Sequence, residues 1–311
     1  MNGAGKEEYA MSTSKERSVK WQTFQNKYLT PKYVTKWLWS IVRAVIIAGL
    51  CYIILFPFFE KIINAFKSYE DLIDPTVKFL PKHFTLENVS RTVQKMQYWQ
   101  ALTNTLILST VVAFLQTFIS ALVGYGFAKF KFWGNKILFF FVILMLIIPP
   151  QTIIVPMFIK FRYLQILDTP FPLVVMSLTM TGFKNGLYIF MFRQFFRGVP
   201  KELNEAANID GCGVFRTFFT IMLPSATSML TTIFLLSFSW QWTDTVYNGL
   251  FLKNMKLLSN VISQVATGEL QVLAGNLTHT AALLAVLPLA LLFIFAQKAF
   301  VESIDRSGIV G

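Results

Sequence analysis

The chain has 311 residues, 54% of them hydrophobic and 14% charged, with a formal net charge of +12, against roughly 25% charged residues in an ordinary soluble domain. This composition excludes a water-soluble globular protein, and apolar runs of about 20 residues leave too little chain for a sizeable soluble domain. Excess Lys and Arg in a membrane protein records orientation, so the charge is not read as a nucleic-acid signal.

The first 36 residues are polar, and so long a polar lead predicts no cleavable secretory signal. Their GAGKEE stretch imitates a phosphate loop, but Lys6 is followed by Glu7 and the earlier glycine is missing at the required distance. No Walker lysine stands elsewhere either. Residues 37–311 are then read as one transmembrane domain with six predicted spans: Trp37 to Phe59, Ala101 to Tyr125, Ile137 to Ile159, Phe171 to Phe192, Leu223 to Leu250 and Thr278 to Phe300. The expected fold class is an all-α membrane protein, a polytopic bundle of about six helices. Between the first two spans, residues 60–100 contain Pro75 and Pro81, which favours irregular chain or short helices. Pro149, Pro150 and Pro156 interrupt the third span and predict a kink or a broken helix there. The fifth carries SFSWQWTDTVYNG, from Ser237 to Gly249, a polarity suited to facing protein or water rather than lipid. With the N-terminus inside, the cytoplasmic pieces carry 16 Lys and Arg against 10 outside. That bias favours both termini, and the segment between the fourth and fifth spans, in the cytoplasm.

That segment, ELNEAANIDGCGVFRTFFTIMLP from Glu202 to Pro224, reads as a short capped helix. Pro200 suits a first helical turn, and Glu202 and Glu205 favour the positive helix end. Leu203, Ala206 and Ala207 fall on one face, with two side chains small enough to admit a partner's backbone. Gly211 and Gly213 end the helix, and Phe215, Phe218, Phe219 and Met222 set a second apolar stripe leading into the next span.

The run EAANIDGCGVFRTFFTIMLP resembles the cytoplasmic loop of binding-protein-dependent ABC importer permeases. Glu205, Ala206 and Ala207, then Gly211, then Ile221, Leu223 and Pro224 fit that pattern at its spacing. FRQFFRGVPKELNEAA, LIIPPQTIIVPMF, WQWTD and the ending QKAFVESIDRSGIVG are similar to regions of the carbohydrate, maltose-type branch, so the resemblance covers about Trp37 to Gly311. Cys212 beside the motif glycine is a departure. The resemblance implies that residues of about 200–224 form a coupling helix seated on an ATPase subunit, with Glu205, Ala206, Ala207, Asp210, Gly211, Ile221, Leu223 and Pro224 as its site residues. It implies no enzyme activity and no cofactor in this chain, ATP and Mg being bound by two ATP-binding subunits. It further implies a second, distinct permease chain, an external solute-binding protein, and a bacterial or archaeal plasma membrane.

Lys184 and Asp244 are ionisable groups in or near spans. They either line a solute path with Trp240, Trp242 and Asn248, whose rings and amides suit sugars, or lie at the membrane edge bonded to water or backbone. The competing function is an ion-coupled secondary transporter or channel that relays charge through Asp244 and Lys184. A membrane-embedded enzyme finds no nucleophile, base and orienter in one motif. His83 and His279 lack metal spacing, Cys51 and Cys212 offer neither a metal site nor a bridge, and the 32 Phe suit packing and lipid contact. The glycosylation triplets at Asn88 and Asn276 are too short to weigh. No metal site and no catalytic residue is expected.

Overall fold

The computed structural model describes residues 31–182 and 184–308. Residues 1–30 of the polar N-terminal segment and the final three residues of the tail lie outside the described residues. The chain divides into two compact units, residues 1–60 and 61–311. Among the described residues it is helical with no strand, extended chain pairing only in the bridge between Lys67 and Phe84.

Helix α1 (Pro31–Ala65) contains the first predicted span. Trp37, Leu38, Ile46, Ile53 and Ile54 are all exposed, and a helix apolar on every side belongs in lipid.

The second unit opens with short helices, as the 60–100 region predicts: α2 (Tyr69–Ile73) and α3 (Glu87–Met96). Side chains tie this segment together. Buried Lys67 donates to the carbonyls of Val77 and Lys78 at 3.0 Å, and the Asn88 amide donates to Lys67 O at 2.7 Å. Then comes α4 (Tyr98–Lys129), which runs through the middle of the unit and packs against two later helices. Lipid tails are as apolar as Leu, so helices in a bilayer associate through close packing at small residues. Gly124 shows this directly: a Cβ there would lie 2.6 Å from the Cβ of Phe192.

Helices α5 (Asn135–Ile147) and α6 (Gln151–Tyr163) meet at 101°. Pro149 and Pro150 lie in the gap and cannot continue the hydrogen-bond ladder. The third predicted span is therefore a broken helix, while Pro156 is accommodated inside α6.

The fourth predicted span is corrected. Phe171 to Phe192 is two helices, α7 (Phe171–Leu178) and α8 (Asn185–Gly198). Met180 and Lys184 adopt left-handed conformations, with φ of 57° and 67°. The N–H groups of Thr181 and Gly182 fold back on Met176 O at 3.0 and 3.1 Å, and the Asn185 amide adds a third bond to it at 3.3 Å. Local capping thus competes with helix continuation, and a hydropathy window does not register it.

After α9 (Lys201–Ile209) and the single turn α10 (Val214–Thr217), a π turn at Phe218–Met222 and a short α11 (Leu223–Ser225) lead into α12 (Thr227–Thr243). The chain bends by 80° between residues 214–225 and α12. The fifth predicted span is accordingly shortened at both ends. It begins at Thr227 rather than Leu223, and Asp244 (ψ 123°) leaves the helix to start the separate α13 (Val246–Phe251). Helix α14 (Leu258–Val261) precedes α15 (Gln271–Gly308), which contains the sixth predicted span.

Among the described residues, three helices are long and apolar enough to cross a membrane, or five if each bent pair forms one crossing. The shortfall from six lies at the broken α7 and α8.

Candidate functional site

Two regions gather the residues singled out from the sequence. The first is the α9 knob. Pro200 leads in with extended backbone (ψ 141°), and Lys129 at the end of α4 donates to Val199 O at 2.7 Å, fastening the knob to the bundle. The helix closes through Cys212 N–H to Ala207 O at 2.9 Å and Asp210 N–H to Ala206 O at 3.0 Å. Gly211, with φ of +73°, supplies the left-handed residue that such an end requires. Gly213 is ordinary extended chain (φ −68°), so one glycine rather than two makes the turn.

The expected single face of Leu203, Ala206 and Ala207 is divided. Ala207 is buried at 2% exposure, whereas Leu203 and Ala206 are exposed together with Glu202, Glu205, Ile209 and Asp210. Ala207 therefore packs into this chain, and Ala206 is the small residue left to an outside surface. The second stripe also divides. Phe218 and Met222 are fully buried, while Phe215 is exposed and Phe219 is half covered, stacked on Phe118 at 5.9 Å. The π turn through these residues shifts the register that uniform helix spacing assumes. Ile221 and Leu223 pack against the cluster of Tyr125, Phe192, Phe196 and Phe218, whereas Pro224 is exposed. Motif residues thus fall into an outward set, Glu205, Ala206, Asp210, Gly211 and Pro224, and an inward set that anchors it.

The second region is the break between α7 and α8. A small cavity of about 30 Å³ is lined there by Gln116, Ser177, Ser237, Trp240, Gln241 and Asp244. An adjoining space of about 440 Å³ is lined by Pro150, Thr181, Lys184 and Leu187, and both share Gly182 and Tyr247. The Lys184 ammonium lies 4.8 Å from the centre of the Trp240 ring, a cation–π distance. Asp244 is held differently: its carboxylate accepts the N–H groups of Val246, Tyr247 and Asn248 at 3.1, 3.3 and 2.9 Å and caps α13. The Asp244 carboxylate is thus engaged by the α13 backbone, and nothing here favours the ion-coupled alternative.

Lys184, Trp240 and Asp244 are brought together; Trp242 and Asn248 are not part of either cavity lining. Trp242 is 3% exposed and donates its indole N–H to Ala285 O at 3.0 Å, joining α12 to α15. Asn248 is 1% exposed, its amide donating to Asp244 O at 2.7 Å and accepting from Gln241 at 2.9 Å. Both side chains are held by hydrogen bonds within the chain. Sequence reasoning missed Gln116, Ser177, Ser237 and Gln241, although Ser237, Gln241 and Asp244 recur at i, i+4 and i+7 along one helical face. The Ser237 hydroxyl donates to the Gln116 carbonyl, linking α12 to α4 across the cavity wall. A cation over an indole, amides, hydroxyls and a carboxylate can bind a polar, hydroxylated solute. Among the described residues no cluster of three His, Cys, Asp or Glu could hold a metal.

Comparison with known proteins bears on family and fold. Residues 116–306 match the family described as "Binding-protein-dependent transport system inner membrane component". An arabinooligosaccharides transport system permease protein of Halalkalibacterium halodurans is 27% identical over 287 residues, 89% of this chain and 98% of that one. A probable starch degradation products transport system permease protein of Thermoanaerobacterium thermosulfurigenes is 27% identical over 258 residues, 80% of this chain and 89% of its own. Among solved structures, a bacterial ABC transporter chain involved in import of the acidic polysaccharide alginate superposes with a TM-score of 0.74 at 19% identity. That match covers 86% of this chain and 98% of the other, and it establishes a shared fold.

Proposed function

We propose a function from one premise: the chain belongs to the binding-protein-dependent transport system inner membrane component family, matched over residues 116–306. It is a permease subunit of an ABC transporter, and the solute it passes is a carbohydrate, an oligosaccharide or a related sugar. The relatives named for arabinooligosaccharides and for starch degradation products support that class. The observation that carries the reading in this chain is the set of groups gathered at the α7–α8 break, where the Trp240 ring stands among Gln116, Ser177, Ser237 and Gln241. Indole faces pack on sugar rings, and amides and hydroxyls exchange hydrogen bonds with sugar hydroxyls.

In this reading the chain forms half of the pathway beside a second, distinct permease subunit. Two ATP-binding subunits hold the ATP and Mg, an external binding protein delivers the solute, and this chain performs no covalent chemistry. The outward residues of the α9 knob transmit closure of the ATPase pair: Glu205 as a charged anchor, Ala206 as the close contact, Gly211 as the turn. Both termini lie in the cytoplasm of a bacterial or archaeal cell.

Reconstitution of the full assembly in proteoliposomes tests this. The expected result is uptake of labelled oligosaccharide that requires ATP and the binding protein and is indifferent to a protonophore. Uptake that persists without ATP and collapses with the protonophore would replace this reading with the ion-coupled one.

A further inference from the structure

The open pocket between the α4–α5 loop and the end of α8 has a volume of about 630 Å³ and is lined by Lys131, Lys136, Arg193 and Arg197, with aromatic walls from Phe127 and Phe132. We propose that it binds the phosphate-bearing headgroup of an anionic phospholipid.

Four cations converge on this space and no Asp or Glu lines it. None of the four makes an ion pair among the described residues. The Arg193 guanidinium lies 3.7 Å from the Phe139 ring centre, and its Nε is buried without a hydrogen-bond partner. A buried donor left unmatched is costly, and like charges gathered at a surface repel. A phosphodiester answers both, since it offers several acceptor oxygens and one negative charge, and arginine forks match phosphate geometry.

Its place in the fold selects the source of that phosphate. The pocket adjoins the start of α5, whose apolar side chains are mostly exposed, and Trp133, between Lys131 and Lys136, is 97% exposed. Exposed Trp with flanking cations is the signature of the membrane–water interface. From there Phe140 and Phe141, 60% and 53% exposed, carry an apolar surface along α5. A headgroup in the pocket would thus have hydrocarbon wall beneath it, which a free anion would not use. Basic pockets between spans hold anionic headgroups by this combination. The inference does not rest on the transport reading.

The test is native mass spectrometry of the full chain, purified in mild detergent with its accompanying subunits and titrated with phosphatidylglycerol or phosphatidylcholine. Phosphatidylglycerol should be retained at least about ten-fold over phosphatidylcholine. That excess should fall about ten-fold in the loop variant Lys131→Gln/Lys136→Gln, whose positions are exposed and whose melting temperature serves as the folding control. Arg193→Gln/Arg197→Gln should abolish it. Equal retention of the two lipids, or phosphatidylglycerol retention untouched in the loop variant, overturns the proposal. Displacement by millimolar inorganic phosphate also overturns it, assigning the cations to a free anion. Loss of subunits from the loop variant with lipid retention unchanged overturns it in favour of an acidic protein surface.

Discussion

Ala206 and Ala207 are adjacent in sequence and opposite in environment. Ala207 is 2% exposed and Ala206 faces outward, so one substitution made at both positions separates folding from coupling. Ala207→Trp overpacks a closed site and should cost about 1–3 kcal/mol or more, read as a lower melting temperature of the detergent-solubilised protein. Ala206→Trp should leave melting unchanged while abolishing ATP-driven uptake in proteoliposomes; full uptake by this variant would refute contact with the ATPase. At Gly211 nothing lies within 4 Å of a built Cβ, so only the positive φ constrains it. Gly211→Asn should therefore retain most activity, whereas the β-branched Gly211→Val loses about 1–2 kcal/mol of local stability and the turn with it. Gly124 is the reverse case, crowded rather than strained. Gly124→Val should lower the melting temperature sharply, because the Phe192 Cβ and the Arg193 backbone leave no room. Spacing alone brings Leu203, Ala206 and Ala207 onto one side of a helix. Which edge of that side turns inward is decided by tertiary packing, which closes over Ala207 and leaves Ala206 outside.

Elements were legible where chemistry punctuates them. Pro149 and Pro150 announce the gap between α5 and α6, and the apolar runs of α1, α4 and α15 read directly as spans. The break between α7 and α8 was hidden because its makers, the carbonyl of Met176 and the amide of Asn185, are ordinary residues until they meet. Beyond the spans, α3 is pinned to the approach of α15 by a charge cluster. Glu269 takes Lys95 at 2.5 Å and Arg91 at 3.3 Å, while Lys95 also donates to Val265 O and Thr267 O. The hydrogen bond from Lys95, aided by the charges of Arg91 and Lys95, lowers the Glu269 pKa from its ordinary 4.5. A depressed native pKa stabilises above the unfolded value, and that contribution is lost as pH falls through the native one. Cooling of the melting temperature below about pH 4.5 should thus contain a component that Glu269→Gln removes. Identical pH profiles for the two proteins would deny the cluster any role.

At the scale of the molecule, composition and the EAA pattern made class and family readable, whereas the cavity was only half visible. Trp240, Lys184 and Asp244 could be named from their types, but Gln116 and Ser177 join them through helices separated in sequence. Topology has a built-in probe in the two cysteines, since Cys51 is exposed along lipid-facing α1 and Cys212 is partly exposed in the knob. A membrane-impermeant maleimide should label Cys212 in inside-out vesicles and not in intact cells, and Cys51 in neither; labelling of Cys212 from outside would invert the orientation. The broken fourth crossing has a consequence for how the protein is made. The eight residues of α7 rise about 12 Å, far short of a hydrocarbon core about 30 Å thick. The irregular backbone after it cannot face lipid. Its cover comes partly from Ser237 and Gln241 of α12, which the ribosome has not yet synthesised when α7 emerges. The covering of this break is therefore complete only once α12, which ends at Thr243, has joined the bundle.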